Sequence, residues 1–337
     1  MTRFFPAFWY TGFSLTCHKR RKWCTMQKSV RLVYLLLVLV AFSWGGAFTA
    51  AKLALRELPP FSVATLRFAL ASLILMAILW KQEGFTNKIQ RNDYYWLLLL
   101  GLTGIFGYNA LFFEALKHTT AVNGALIIAA NPMATAILST LLTREKLTKQ
   151  QVVGILVSFT GVLFVIAKGS LSVVRDLSFN FGDLLLVGAM LCWAVYSIAG
   201  KRVMGKFSPL AATTFACIIG TLALAPFMVR EIMLAQWNNP TWLSWSAIIY
   251  MAVFASVMGF VWWNQGVAQI GASRAAVFIN LVPIAAMSIA AVSGEAITLP
   301  QFLGAVLVIS GVYLTSVKRA NAEPVQEGTT APKTIQS

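Results

Sequence analysis

Two charged side chains, Arg67 and Glu114, lie more than about one helical turn inside long apolar runs of this sequence. A charge at such a depth costs about 2.5–3.5 kcal/mol on insertion scales, so it faces a partner or a polar path. We expect the two at similar depth, either as a fixed ion pair, or with an end residue that snorkels to the interface, or as a gate or proton-linked site whose charge changes during transport. Two prolines, Pro132 and Pro283, also fall inside apolar runs, where each removes a backbone hydrogen bond and kinks its helix. Asn131 directly precedes the first and Asn280 lies one turn before the second, which sets amides beside the carbonyls that a kink releases. Trp44, Tyr108, Asn109, Trp193, Tyr196, Trp263 and Asn264 add aromatic and polar groups at mid-depth. Apolar walls with a few placed polar groups suit an amphipathic small molecule. The competing reading of the tryptophans is an interfacial belt. A sugar phosphate would want clustered basic residues, and the chain offers Arg67 with at most Lys52 beside it.

Catalysis finds no such support. There is no HExxH, GxSxG or P-loop motif, and both histidines lie outside the apolar centres. Cys17, Cys24, Cys192 and Cys217 show neither CxxC spacing nor a disulfide framework. No catalytic residue, metal site or cofactor is expected. Glu145 and Glu295 resemble catalytic acids at first, but each stands just before a Thr-x-x-Gln capping box, Thr148 to Gln151 and Thr298 to Gln301, which assigns them to helix starts.

These residues need apolar helices to hold them. Of 337 residues, 58% are hydrophobic and 11% charged, too few charges to cover a water-soluble surface. A bilayer core needs about 20 mostly apolar residues per helix. That window predicts ten spans, near 33–54, 61–80, 95–115, 121–142, 150–168, 182–201, 209–230, 243–265, 273–293 and 300–317. The formal charge of +16 is spread singly or in small groups between these runs, which argues against a nucleic-acid surface. With both termini in the cytoplasm, 20 of the 27 Lys and Arg fall inside, six outside, and Arg67 within a span. The positive-inside rule thus predicts a multi-pass inner-membrane protein with cytoplasmic ends. Residues 1–31 form a basic tail, either interfacial or an extension ahead of a start at Met26, and 319–337 form a polar, disordered tail.

The two halves repeat. Trp44, Lys52 and Pro60 are matched by Trp193, Lys201 and Pro209 at a shift of 149, Pro132 by Pro283 at 151, and Glu145, Gly154 and Gly161 by Glu295, Gly304 and Gly311 at 150. Five helices per repeat is an odd number, so the second copy enters the membrane inverted. Inverted repeats recur in secondary transporters, with a substrate site between the halves near the midplane and access alternating from side to side. Gly154, Gly161, Gly304 and Gly311 give helices 5 and 10 small-residue faces, for packing within the bundle or for a homodimer.

The pattern Trp44-Gly45 before Lys52, Arg67, Ala115-Leu116, Asn131-Pro132, Glu145-Lys146-Leu147-Thr148, Gly154 and Gly161 resembles the EamA domain of the drug/metabolite transporter superfamily. Trp193, Pro283, Gly294-Glu295-Ala296-Ile297-Thr298, Gly304 and Gly311 repeat it, so the resemblance covers about 33–317. It implies an all-α membrane protein of two inverted five-helix repeats, 32–168 and 182–318, with a cavity lined mainly by helices 1, 3, 4, 6, 8 and 9. It further implies export of small metabolites, often amino acids, with multidrug efflux of amphipathic or cationic compounds as the alternative. The partners expected are a small-molecule substrate and the lipid bilayer. Arg67 has no basic counterpart, since the shift of 149 lands on Ala216, so the two copies are not functionally equivalent.

Overall fold

In hydrocarbon an apolar run satisfies its own backbone only as a helix or in a closed barrel, and this chain takes the helical solution. The computed structural model describes residues 13–14, 27–28, 30–84, 90–115, 118, 127–143, 147–167, 175, 180–234, 240–292 and 298–316. Its helices are α1 (Val30–Ala54), α2 (Pro60–Gln82), α3 (Arg91–Leu100, a π-helical stretch Gly101–Gly107, then Tyr108–Ala115), α4 (Asn131–Thr143) and α5 (Lys149–Ala167). The second half holds α6 (Phe181–Val203), α7 (Pro209–Leu234) and α8 (Trp242–Tyr250, a π-helical stretch Met251–Met258, then Gly259–Ile270). It ends with α9 (Ala272–Val277, a 3₁₀ turn Phe278–Leu281, then Val282–Val292) and α10 (Leu299–Ser316). Among the described residues, eight of these are long and apolar enough to cross a membrane, and α5 is a shorter apolar helix. The start expected for the fourth span, 121–126, lies outside the described residues, as do Glu145 and Glu295. A two-residue antiparallel pairing, Phe13–Ser14 with Gln27–Lys28, precedes the bundle.

Caps start the helices where their sequences predict. Thr148 N–H donates to Gln151 Oε1 at 2.8 Å and Gln151 N–H to Thr148 Oγ1 at 3.2 Å, which opens α5 with a reciprocal box. Thr298 N–H donates to Gln301 Oε1 at 2.9 Å ahead of α10.

Two pairs of equivalent helices, α5 with α10 and α2 with α7, pack on each other and run antiparallel. On α5 and α10 the glycines interlock: a Cβ at Gly154 would lie 2.7 Å from the carbonyl oxygen of Gly311, and one at Gly161 would lie 2.6 Å from that of Gly304. As the number rises on α5 its partner's number falls on α10. The glycine faces are therefore used inside one chain, which withdraws them as a dimer surface. On α2 and α7, Ser72 Oγ and Thr221 Oγ1, equivalent at the shift of 149, meet at 3.4 Å. Phe61 stacks on Phe227 with centroids 5.1 Å apart. Two equivalent residues touching each other mark an axis of approximate twofold symmetry.

Each end of this α2–α7 pair is tied by a carboxylate. Glu231 of α7 accepts from the N–H groups of Phe61 (3.1 Å) and Ser62 (2.8 Å), which no helical partner could satisfy at the start of α2. At the other end, Glu83 accepts from Ser208 Oγ at 2.8 Å, and that hydroxyl accepts from Ala211 N–H at 3.0 Å to cap α7. The loops ahead of α2 and α7 reach across to the opposite repeat. Glu57 accepts from Thr241 N–H at 2.8 Å and Ser244 Oγ at 2.5 Å at the start of α8, while Lys206, its equivalent at a shift of 149, binds Asp93 at 2.5 Å at the start of α3.

Two outcomes follow from these contacts. Gly161→Leu or Gly304→Leu forces the α5–α10 crossing apart and lowers stability by about 1–3 kcal/mol, the usual scale of overpacking, read as a fall in the thermal unfolding midpoint of detergent-solubilised protein. The hydrogen bonds from Ser244 and Thr241 hold the Glu57 carboxyl below its ordinary pKa. A lowered carboxylate pKa stabilises the fold above the unfolded value, about 4.3, and the gain is lost as pH falls through the folded one. The midpoint of the native chain therefore exceeds that of Glu57→Gln at neutral pH and converges on it in acid.

Candidate functional site

The π-helical stretches of α3 and α8 occupy equivalent places in the two repeats, and each presents a carbonyl to a neighbouring side chain. A π turn spreads its hydrogen bonding over an extra residue and is common where a helix serves a site. In α3 the carbonyl of Ile105 accepts from Asn109 Nδ2 at 2.5 Å. That bond fixes the amide, so Asn109 Oδ1 faces Arg67 and accepts from its Nη2 at 2.9 Å. In α8 the carbonyl of Ala255, equivalent to Ile105 at a shift of 150, accepts from Trp44 Nε1 at 3.0 Å. Glycines allow the close approaches. A Cβ at Gly104 would overlap the ring of Tyr196, and one at Gly259 would lie 2.8 Å from Trp44 Nε1.

Trp44, Trp193 and Trp263 form a triangle with centroids 5.2, 5.5 and 5.4 Å apart. Tyr108 and Tyr196 pack on Trp193 at 5.5 and 5.3 Å. These spacings are those of interacting aromatic pairs. They place the repeat-related Trp44 and Trp193 at the core between the halves, not in an interfacial belt. Trp193, Trp263 and Tyr196 are closed off, whereas Trp44, Tyr108 and Arg67 keep partial exposure in the middle of the bundle. Asn264 ties the cluster to its support, donating from Nδ2 to Tyr196 Oη and to Thr213 Oγ1, both at 2.8 Å. Several buried atoms here have no partner among the described residues: Trp193 Nε1, Trp263 Nε1, Arg67 Nε and Asn264 Oδ1. Each such group costs about 1–3 kcal/mol, and such exceptions concentrate where a ligand or water completes the bonding.

Other expected residues stand apart. Arg67 does not pair with Glu114: its bonding partner is Asn109, and its guanidinium carbon lies 4.4 Å over the adjacent Phe68 ring. Glu114, in the last turn of α3, instead meets His118, in a turn beyond the helix end, at 3.5 Å with both side chains over two-fifths exposed. Lys52 is exposed at the end of α1 and adds nothing to the site. Asn131 Oδ1 accepts from Thr135 Oγ1 at 3.0 Å, and Asn280 Nδ2 donates to Ser158 Oγ of α5 at 2.8 Å. Neither makes a hydrogen bond to the aromatic cluster. Pro132 and Pro283 coincide with irregular backbone: the chain tightens at Ala130, whose N–H bonds Ile127 O three residues back, and the 3₁₀ turn Phe278–Leu281 precedes Pro283.

The residue that sequence reasoning missed is Phe260. Its ring lies 5.5 Å from Trp193, 6.1 Å from Trp44 and 5.8 Å from both Tyr196 and Phe68. The signal was available, since Phe260 precedes Trp263 by three and Asn264 by four, the spacing of one helix face.

An antiparallel pair of repeats with an aromatic site and a half-buried cation between them is the architecture of a membrane transporter. The sequence matches the EamA-like transporter family over residues 31–167 and 180–317, and the chain belongs to that family. The relative "Uncharacterized transporter YyaM" of Bacillus subtilis (strain 168) is 41% identical over 287 residues, which cover 84% of this chain and 93% of the relative. A "Probable amino-acid metabolite efflux pump" of Salmonella typhimurium is 28% identical, covering 83% of this chain and 93% of the pump. A crystal structure shares the fold at a TM-score of 0.70 with 19% identity, covering 85% of this chain and 98% of its own.

Asn109→Leu removes the acceptor that holds Arg67 and the donor that holds the π turn. Hydrogen bonds to charged groups contribute about 1.5–3 kcal/mol. We expect a loss of that size in the thermal stability of purified protein, compared with a smaller loss for Asn264→Leu, whose partners are neutral.

Proposed function

We propose that this protein is a secondary transporter that exports small amphipathic metabolites such as amino acids, by alternating access at the aromatic site between its inverted repeats. The observation that carries the reading is Arg67: a single cation, positioned by Asn109, beside a wall of tryptophan and tyrosine contributed by both halves of the chain. The name of the Salmonella relative supports the substrate class, and the inversion of the repeats supports alternating access. The charge distribution, 20 basic residues against six across the spans, supports a cell-membrane location with both termini in the cytoplasm. Glu114 lies with His118 near a helix end, so the gate or coupling role falls to Arg67.

Efflux of cationic drugs is the second reading, favoured by the tryptophan triangle. An aromatic face attracts a cation by about 0.5–2 kcal/mol. The Arg67 guanidinium in the same site opposes a cationic ligand, since like charges repel strongly where water is excluded. Metabolite export is the better reading because Arg67 supplies a fixed positive charge that a cationic drug must approach.

The test is growth of cells lacking or overproducing the protein on toxic amino acids, dipeptides and cationic drugs, with accumulation of labelled hits. Overproduction is expected to give resistance to, and lower accumulation of, an amino-acid-like class. Arg67→Gln should abolish that resistance while the protein remains in the membrane. Resistance confined to cationic drugs, or full export by Arg67→Gln, overturns the reading.

A further inference from the structure

The unused hydrogen-bonding capacity around Arg67 is almost all of one kind. An indole N–H and a guanidinium N–H can donate and cannot accept, and Trp193 Nε1, Trp263 Nε1 and Arg67 Nε are all buried without a partner. Arg67 makes one side-chain hydrogen bond, to the neutral Asn109, and no carboxylate touches it among the described residues. A guanidinium without a counter-ion, in a place with partial access, lacks an anion. Its planar fork fits a carboxylate through two parallel bonds. With Lys52 exposed elsewhere, one positive charge stands at the site among the described residues, which matches a monoanion and leaves a dianionic phosphate half-neutralised.

To an ammonium group the same surroundings offer aromatic faces and one unpartnered amide oxygen, Asn264 Oδ1, but no acidic side chain beside the rings among the described residues. From this we propose that the site recognises its ligand by the carboxylate alone, and that its substrates are apolar or aromatic monocarboxylic acids for which an α-amino group is dispensable. The carboxylate would lie on Arg67 and the apolar body against Tyr108, Trp193 and Trp44, the latter two related by the repeat. This rests on the transport reading above and narrows it from amino acids to organic acids at large.

The experiment compares three ligands that share one ring: 3-phenylpropanoate, phenylalanine and phenethylamine, which carry a carboxylate, both charges, and an ammonium. Binding is measured by titration calorimetry on the purified full chain in lipid nanodiscs, and uptake of labelled 3-phenylpropanoate is measured in proteoliposomes. The native protein should bind 3-phenylpropanoate at least tenfold tighter than phenethylamine, with phenylalanine no tighter than the acid. Arg67→Gln should lose tenfold or more for the acid and nothing for the amine. Arg67→Lys, which keeps the charge and loses the fork, should retain a reduced preference for the acid and supplies the test if Arg67→Gln does not fold. Equal binding of acid and amine by the native protein, no binding of either, or an undiminished acid preference in the folded Arg67 variants overturns the proposal. Binding of the acid without uptake leaves the proposal standing and overturns transport, whereas uptake of phenylalanine with no carboxylate preference does the reverse.

Discussion

The rest of this structure depends on a rule about backbone carbonyls: inside hydrocarbon, none can be left without a donor. Regular helices meet the rule alone and therefore carry no information. The π stretches of α3 and α8 depart from the regular ladder, and the carbonyl of Ile105, which also accepts from Tyr108 N–H, and that of Ala255 accept from Asn109 and Trp44. Backbone irregularity is thereby converted into side-chain position. Asn109 turns its oxygen to Arg67, and Trp44 is pinned where it can meet Trp193 and Trp263.

The repeat supplies the frame for those two points. Antiparallel contact of α5 with α10 and of α2 with α7 places equivalent residues opposite each other, glycine on glycine and Ser72 on Thr221. The frame is nearly symmetric, but its chemistry is not. The two equivalent carbonyls hold different residues, an amide serving a cation in one repeat and an indole in the other. One ligand with a polar end and an apolar end suits such a site better than two identical ligands would.

The helices were legible because hydrophobic length and capping boxes are local signals. Expected limits such as 209–230 and 300–317 fall close to Pro209–Leu234 and Leu299–Ser316. The gathering of Trp44 and Trp193 was legible through the repeat. What stayed hidden was which partner Arg67 takes. Depth along a helix can be counted in sequence, and it made Glu114 look suitable, but azimuth around the helix cannot be counted through a π stretch. Each such turn rotates everything after it. Tyr108 to Ala115 follow the stretch Gly101–Gly107, so Asn109 faces Arg67 and Glu114 faces His118 near the helix end. Asn131 and Asn280 take hydroxyl partners that their sequence neighbourhood does not single out, Thr135 one turn on along α4 and Ser158 across on α5.

Lys206 and Glu57 occupy equivalent loop positions at opposite ends of the bundle, yet one is a cation bound to Asp93 and the other an anion bound to Thr241 and Ser244. An ion pair weakens as counter-ions screen it, while hydroxyl donors to a carboxylate ignore salt and fail when the carboxylate takes up a proton. The duplication thus left two equivalent loop ties that answer to different solutes, one to ionic strength and the other to acidity.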